Sequence, residues 1–204
     1  MYINCGAIEK ARRLFDEISS IADHITYSIL MRTYSFRNQP VEIVRLFEQF
    51  QRSTRSTTGD SMFYRNVIQA GRHLGLPFQA ERIHREIPSM LIKKDFPLQT
   101  ALIEMHAHCF QIDEATRFYN LLGQKDDFSS LVSLLHGYAI DGQVENILQV
   151  LNTDGISPFS NVEILKMIFI AFANRRGFVS KAKEMFDEIP KDSKTSEIAA
   201  LMVR

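Results

Sequence analysis

The 204-residue sequence has no tryptophan, only two cysteines (Cys5 and Cys109), six prolines and nine glycines. Two cysteines are too few for a disulfide framework, which fits a reducing compartment. So little glycine and proline excludes collagenous, disordered and loop-rich chains. No window holds the ~18 or more uninterrupted apolar residues of a membrane helix; the longest apolar stretch, Ile164 to Ala173, is broken by Lys166. Excess charge of either sign is also missing. The 24 basic and 24 acidic residues balance, and the bases come as short clusters such as Arg12-Arg13, Lys93-Lys94 and Arg175-Arg176. Non-specific nucleic-acid binding depends on many Lys and Arg neutralising phosphates, so any such contact here must be local and modest. The opening Met1-Tyr-Ile-Asn-Cys-Gly has neither the apolar core of a secretory signal nor the Arg- and Ser-rich, acid-poor character of a transit peptide. A Gly-rich phosphate loop, a nucleophile elbow and a Cys-x-x-Cys pair are all absent, so no catalytic site, cofactor or small-molecule substrate is expected.

What is present is repetition. Lys10-Ala-Arg-Arg-Leu-Phe-Asp-Glu-Ile18 recurs as Lys181-Ala-Lys-Glu-Met-Phe-Asp-Glu-Ile189, and more loosely as Glu114-Ala-Thr-Arg-Phe-Tyr119. Met1-Tyr-Ile-Asn-Cys5 returns as Met105-His-Ala-His-Cys109, which puts both cysteines at one equivalent position, 104 residues or three repeats apart. The bulky residue four places after each Ala-like position runs Phe15, Phe47, His84, Tyr119, Leu151 and Phe186, at spacings of 32, 37, 35, 32 and 35 residues. A second register, the residue ending each leading helix, runs Gly6, Asn38, Gly75, Phe110, Gly142 and Gly177 with matching steps.

Inside each unit the apolar spacing is that of a helix. Ile25, Tyr27, Ile29-Leu30-Met31 and Tyr34 precede a break at Asn38-Gln39-Pro40, and Ile43, Leu46, Phe47 and Phe50 follow at i, i+3, i+4, i+7. The same helix, turn, helix pattern fits Met62 to His73 with Pro77 to Met90, where Gly75 suits the C′ site and Pro77 the first turn. It fits again at Leu98 to Cys109 with Asp113 to Leu122, Ser129 to Ile140 with Val144 to Asn152, and Val162 to Asn174 with Val179 to Glu188. A lone second helix is expected at the start and a lone first helix from Thr195 onward. A helix pair cannot bury its apolar stripe alone, so neighbouring pairs must stack. The expected fold is all-α, a right-handed α-α superhelix of units 1–23, 24–60, 61–95, 96–127, 128–159, 160–191 and 192–204. The first and last units are partial, which predicts a segment of a longer protein.

Helix pairs of ~34 residues belong to the tetratricopeptide or the pentatricopeptide pattern. The former wants Trp and a Leu-Gly-x-x-Tyr run, and neither occurs. Met1-Tyr-Ile-Asn-Cys-Gly-Ala-Ile-Glu-Lys-Ala-Arg-Arg-Leu-Phe-Asp-Glu-Ile18, Thr26-Tyr-Ser-Ile-Leu-Met31, Gln69-Ala70…Leu74-Gly75…Ile83-His84 and His136-Gly-Tyr-Ala139 resemble the pentatricopeptide repeat family. The order of unit lengths is similar to its mixed-length subclass, whose members often act in organelle RNA editing. The resemblance implies single-stranded RNA as partner, together with other RNA-processing proteins, and a mitochondrial or other organellar location. It also implies reading of about one base per unit by two or three side chains.

Carried over residue by residue, the resemblance makes the reading pairs Ser28 with Asp60, Arg65 with Asp95, Thr100 with Asp127, and Val132 with Phe159, and Asp23 closes the partial first unit. An ionised Asp only accepts hydrogen bonds, and the guanine edge presents adjacent N–H donors, so Ser28/Asp60 and Thr100/Asp127 should favour guanine, with uracil as a competitor. Each residue also has a plainer role, because Ser, Thr and Asp at these places are good helix N-caps. Val132 and Phe159 have no side-chain group for a base edge, and Arg65 would meet phosphate or stack on a base. His106, His108 and Cys109 would spread over different helix faces, so they are not read as a metal site. The alternative function is a protein-interaction scaffold of tetratricopeptide type with little or no RNA binding.

Overall fold

The computed structural model describes residues 8–53, 58–122, 128–175 and 178–189. The expectations placed on the Met1–Gly6 segment, Cys5, Asp127, Gly177 and the helix from Thr195 lie outside these residues. Twelve helices and no strand occur among the described residues, and none of these helices is long and apolar enough to cross a membrane. The chain groups into two compact units, Met1–Cys109 and Phe110–Arg204.

In the first unit the helices are α1 (Ile8–Ile18), α2 (His24–Phe36), α3 (Pro40–Arg52), α4 (Ser61–Leu74), α5 (Pro77–Glu86), α6 (Ser89–Lys94) and α7 (Phe96–His108). Leading helices α2, α4 and α7 pack side by side as one layer; α3 packs on α2 and α4, and α5 on α4 and α7, as the second layer. The second unit holds α8 (Ile112–Leu121), α9 (Phe128–Ile140), α10 (Val144–Thr153), α11 (Val162–Asn174) and α12 (Val179–Glu188). Here α9 and α11 form the leading layer, with α8 on α9, α10 on both, and α12 on α11. The predicted all-α stack of helix pairs is therefore what each unit contains.

Both registers have a physical cause. The position four residues before each bulky residue is Ala11, Ile43, Ala80, Ala115, Ile147 or Ala182, and all six are buried. These residues let each second helix settle onto the leading layer. The bulky residues Phe15, Phe47, Tyr119 and Leu151 are buried beside them, and His84 and Phe186 are half-buried. The second register marks the reversal of the chain after each leading helix. Asn38, Gly75, Phe110 and Gly142 have φ of 53°, 63°, 60° and 69°. That is the left-handed conformation which stops a helix and turns the backbone away, at no steric cost for Gly and little for Asn. Phe110 adopts it with a Cβ and an exposed ring, a conformation that costs an L-residue roughly 1–2 kcal/mol.

Leading helices are enclosed on more sides than second helices. Helix α11 buries seven side chains and α10 only three. In the first unit the core is aromatic: Phe63 is wholly buried, with ring centroids 4.6 Å from Phe50 and 5.3 Å from Tyr64. Cys109 is buried, its Sγ–H directed at the Gly71 carbonyl 3.6 Å away, and burial pushes its thiol up to about 11. One helix differs from the sequence expectation. The helix expected from Pro77 to Met90 stops at Glu86, and a separate turn, α6, follows. Pro88 is the reason, since a proline disfavours the helical region for the residue before it; Ile87 is accordingly extended, at φ −83° and ψ 125°.

Candidate nucleic-acid interface

Each leading helix of the first unit starts on an aspartate. Asp23 Oδ1 accepts from the Thr26 amide at 2.9 Å and from its hydroxyl at 2.8 Å. Asp60 Oδ1 accepts from the Phe63 amide and Asp95 Oδ1 from the Leu98 amide, both at 2.8 Å. Capping, the plainer role, is thus filled by all three. In each case the bonds fall on Oδ1, so the cap uses one carboxylate oxygen of two. The two bonds from Thr26 hold the Asp23 carboxyl below the usual range.

Helix bounds give the second set of candidates one common address. Ser28, Arg65, Thr100 and Val132 are each the fifth residue of their helix, in α2, α4, α7 and α9. Arg65 is exposed, and Thr100 and Val132 are half-buried. Ser28 is 9% exposed, and its hydroxyl has no hydrogen-bond partner among the described residues. Asp60 reaches the helix that carries Ser28: its Oδ2 lies 3.8 Å from Nε2 of His24, which is one turn before Ser28 on the same helix face. The structure therefore brings Asp60 to the Ser28 helix, while Asp127 lies outside the described residues.

The last expected pair is placed differently. Phe159 is not at a helix start, because α11 begins at Val162, capped by Asn161 Oδ1 on the Glu163 amide at 2.7 Å. Ser157 and Ser160 hold the segment before it. The Ser157 hydroxyl takes the Phe159 amide at 3.3 Å, and the Ser157 carbonyl takes the Ser160 amide at 3.0 Å and hydroxyl at 2.7 Å. A turn is built just ahead of the helix, which starts at Val162 as the sequence spacing expects.

Sequence reasoning missed the groove that surrounds Arg65. About 700 Å³ in volume, it runs over α2, α4 and α7 and is lined by Arg32, Phe36, Met62, Asn66, Gln69, Arg72 and Glu104, among others. Arg72 and Glu104 bridge α4 and α7 at 2.7 Å. Three arginines against one glutamate make the groove electropositive in a chain of zero formal charge. Neither Arg32 nor Arg65 has an ion-pair partner among the described residues. A signal for this face did exist: Ile25, Ile29, Arg32 and Phe36 on α2, and Met62, Arg65, Gln69 and Arg72 on α4, recur at helical steps opposite the core residues.

The histidines near Cys109 serve packing. His106 is fully buried, its ring 5.1 Å from that of His84, and His108 Nδ1 lies 2.8 Å from the Glu104 carbonyl. Burial holds His108 below the usual histidine range.

Comparison with known proteins agrees with this architecture. The family model for the PPR repeat matches residues 25–54. The Arabidopsis thaliana pentatricopeptide repeat-containing protein CRR2, chloroplastic, is 21% identical over 94% of this chain and 29% of its own length. A mitochondrial pentatricopeptide repeat-containing protein of the same plant is 24% identical over 95% of this chain and 30% of its own. The chain thus spans less than a third of either relative. Among solved structures, the pentatricopeptide repeat protein PPR10 from maize superposes with a TM-score of 0.72 at 17% identity, over 98% of this chain and 29% of that one. PPR10 in complex with an 18-nt psaJ RNA element superposes at 0.56 and 15% identity, over 98% and 35%.

Proposed function

From a chain that carries a pentatricopeptide repeat and shares the fold of that family, we propose a scaffold that holds single-stranded RNA along its leading helices and selects bases unit by unit. Any catalysis belongs to another domain or protein. The observation that carries this reading is the common address of the candidates. The three leading helices α2, α4 and α7 of the first unit each begin on an aspartate and place a Ser, Arg or Thr at the fifth residue, and a groove lined by arginines runs over them. A strand laid across these helices would meet one such station in each of units 24–60, 61–95 and 96–127, the other complete units of the chain being 128–159 and 160–191. Ser28 with Asp60, and Thr100 with Asp127, offer a hydroxyl and a carboxylate to the N–H donors of guanine. To meet a base Ser28 must turn its hydroxyl out of the core, and it has no hydrogen bond there to give up. Arg65, paired with Asp95, contacts phosphate or stacks on a base. The chloroplastic and mitochondrial names of the relatives support work in organellar RNA processing or editing.

The test is equilibrium binding of the 204-residue chain to short RNA oligomers with and without guanine, against a helical protein of equal charge. Tighter binding of the guanine-containing oligomer is expected. Affinity for both oligomers no greater than the control's would end the reading.

One observation favours a second reading, a scaffold for a peptide. The fifth residue of α9 is Val132, which has nothing to offer a base edge. Partners captured on this chain that survive RNase treatment would support it, and loss of all of them would exclude it.

A further inference from the structure

We infer that Phe36, with Arg32 beside it, is a stacking platform for one unpaired nucleobase of any identity, in addition to the stations at Ser28, Arg65 and Thr100. The inference rests on the RNA-binding reading above and names an interaction that reading does not include.

Phe36 closes α2 and is 79% exposed, more than any other large apolar side chain described. Single exposed apolar residues are ordinary, but three features set this one apart. It lines the groove of about 700 Å³ instead of standing on an open surface. The Arg32 guanidinium, one turn earlier, sits over its ring at 5.5 Å from the centroid, so the ring is held next to a cation that has no ion pair among the described residues. Arg65 faces the same groove and likewise has no ion pair there.

The occupant must satisfy an open aromatic face and unpaired guanidinium groups together. An apolar peptide would cover the ring and leave the arginines desolvated and unpaired, which is costly. A small anion would meet the arginines and ignore the ring. A nucleotide meets both, because every base has a π face to stack and every linkage a phosphate to pair. Stacking does not depend on which base is present. Phe36 lies eight residues beyond Ser28 on one helix, about 12 Å along its axis, so the platform takes a different nucleotide from the one at the Ser28/Asp60 station.

The experiment compares the full chain with Phe36→Ala, Phe36→Leu and Phe36→Tyr on the same two oligomers, with helix content followed by circular dichroism. Phe36→Ala and Phe36→Leu should weaken both oligomers by one common factor, roughly fivefold to a hundredfold, while Phe36→Tyr binds as the parent does. Leucine keeps the bulk and greasiness of the position, so equal loss in the two variants isolates the aromatic face. The ring is exposed, and helix content should stay at the parent's value. If the parent binds RNA and Phe36→Leu binds it equally well, or loses affinity for only one oligomer, the platform is overturned and the wider reading survives. If the parent fails to bind either oligomer, both fall.

Discussion

The leading helices of the two units share a backbone and differ in what they present. Their ninth residues are Arg32, Gln69 and Glu104 in the first unit, and His136 and Ile170 in the second. Their fifth residues are Ser28, Arg65 and Thr100, against Val132 and Lys166, and Lys166 is held by Glu163 at 3.0 Å. The second unit keeps polar groups instead near its second helices. There Tyr119 donates to Asp154 at 2.6 Å and Thr116 shares a 2.6 Å bond with Tyr138, around a cleft of about 200 Å³. The difference shows that the core stripe and the outward stripe of a leading helix are independent. Packing dictates the first, and the second is open to whatever a partner requires.

The largest test separates the units by breaking one core at a time. Phe63→Ala, at a fully buried ring in the first unit, should cost about 3–5 kcal/mol in urea unfolding and remove RNA binding. Ile168→Ala, equally buried in the second unit, should cost about 2–5 kcal/mol and leave RNA affinity within twofold of the parent. An equal loss of affinity in both would erase the contrast.

A second test strips the charge that distinguishes the first groove. Arg32→Gln with Arg65→Gln removes two cations that have no ion pair among the described residues. Every phosphate that is no longer neutralised should flatten the slope of log affinity against log salt by about 0.7 on a single strand, so a change of about 1.4 is expected from titrations at several salt concentrations. An unchanged slope would mean that these arginines do not meet phosphate.

Smaller effects come from the chain reversals, where the units agree. Gly142→Ala forces a side chain into the left-handed region, with Arg175 Cβ only 3.3 Å from the new carbon, and should cost about 1–2 kcal/mol. Phe110→Gly should raise stability by about 1 kcal/mol, because the exposed ring contributes little packing. Thermal melts that moved the other way for either variant would contradict the account of the second register.

The smallest effect is titration of the first cap. Thr26 holds the folded Asp23 carboxyl below its ordinary range, so its contribution is present at neutral pH and fades as pH falls through the lowered folded value. Asp23→Asn keeps a capping oxygen and should remove that part of the acid dependence of stability. Parallel acid profiles for parent and variant would show that the cap carries no charge-dependent stability.

Much of the fold was legible because its two registers are consequences of packing and chain reversal, which act in every unit. A buried Ala or Ile must recur wherever one helix settles on another, and a left-handed residue wherever the chain turns back. The exception was local: Pro88 split a helix that periodicity alone would continue. Of the proposed interface, Asp23, Asp60 and Asp95 were legible as caps, and Ser28, Arg65 and Thr100 through the family resemblance alone. Arg32 and Phe36 escaped notice because outward residues have no core to fix their type, and their alignment across α2, α4 and α7 exists only once those helices lie side by side.

The aspartates that open the leading helices have one further consequence. One oxygen of each holds its own helix, so a change made there to alter ligand preference also loosens the scaffold that carries the preference. Asp95→Ala, for example, should lose about 1 kcal/mol of stability whatever it does to binding. The fifth residues do not cap their helices. On the proposed reading, redirecting this array toward another base disturbs the helix starts less at positions 28, 65 and 100 than at 23, 60 and 95, where asparagine is the replacement that leaves the helix start intact.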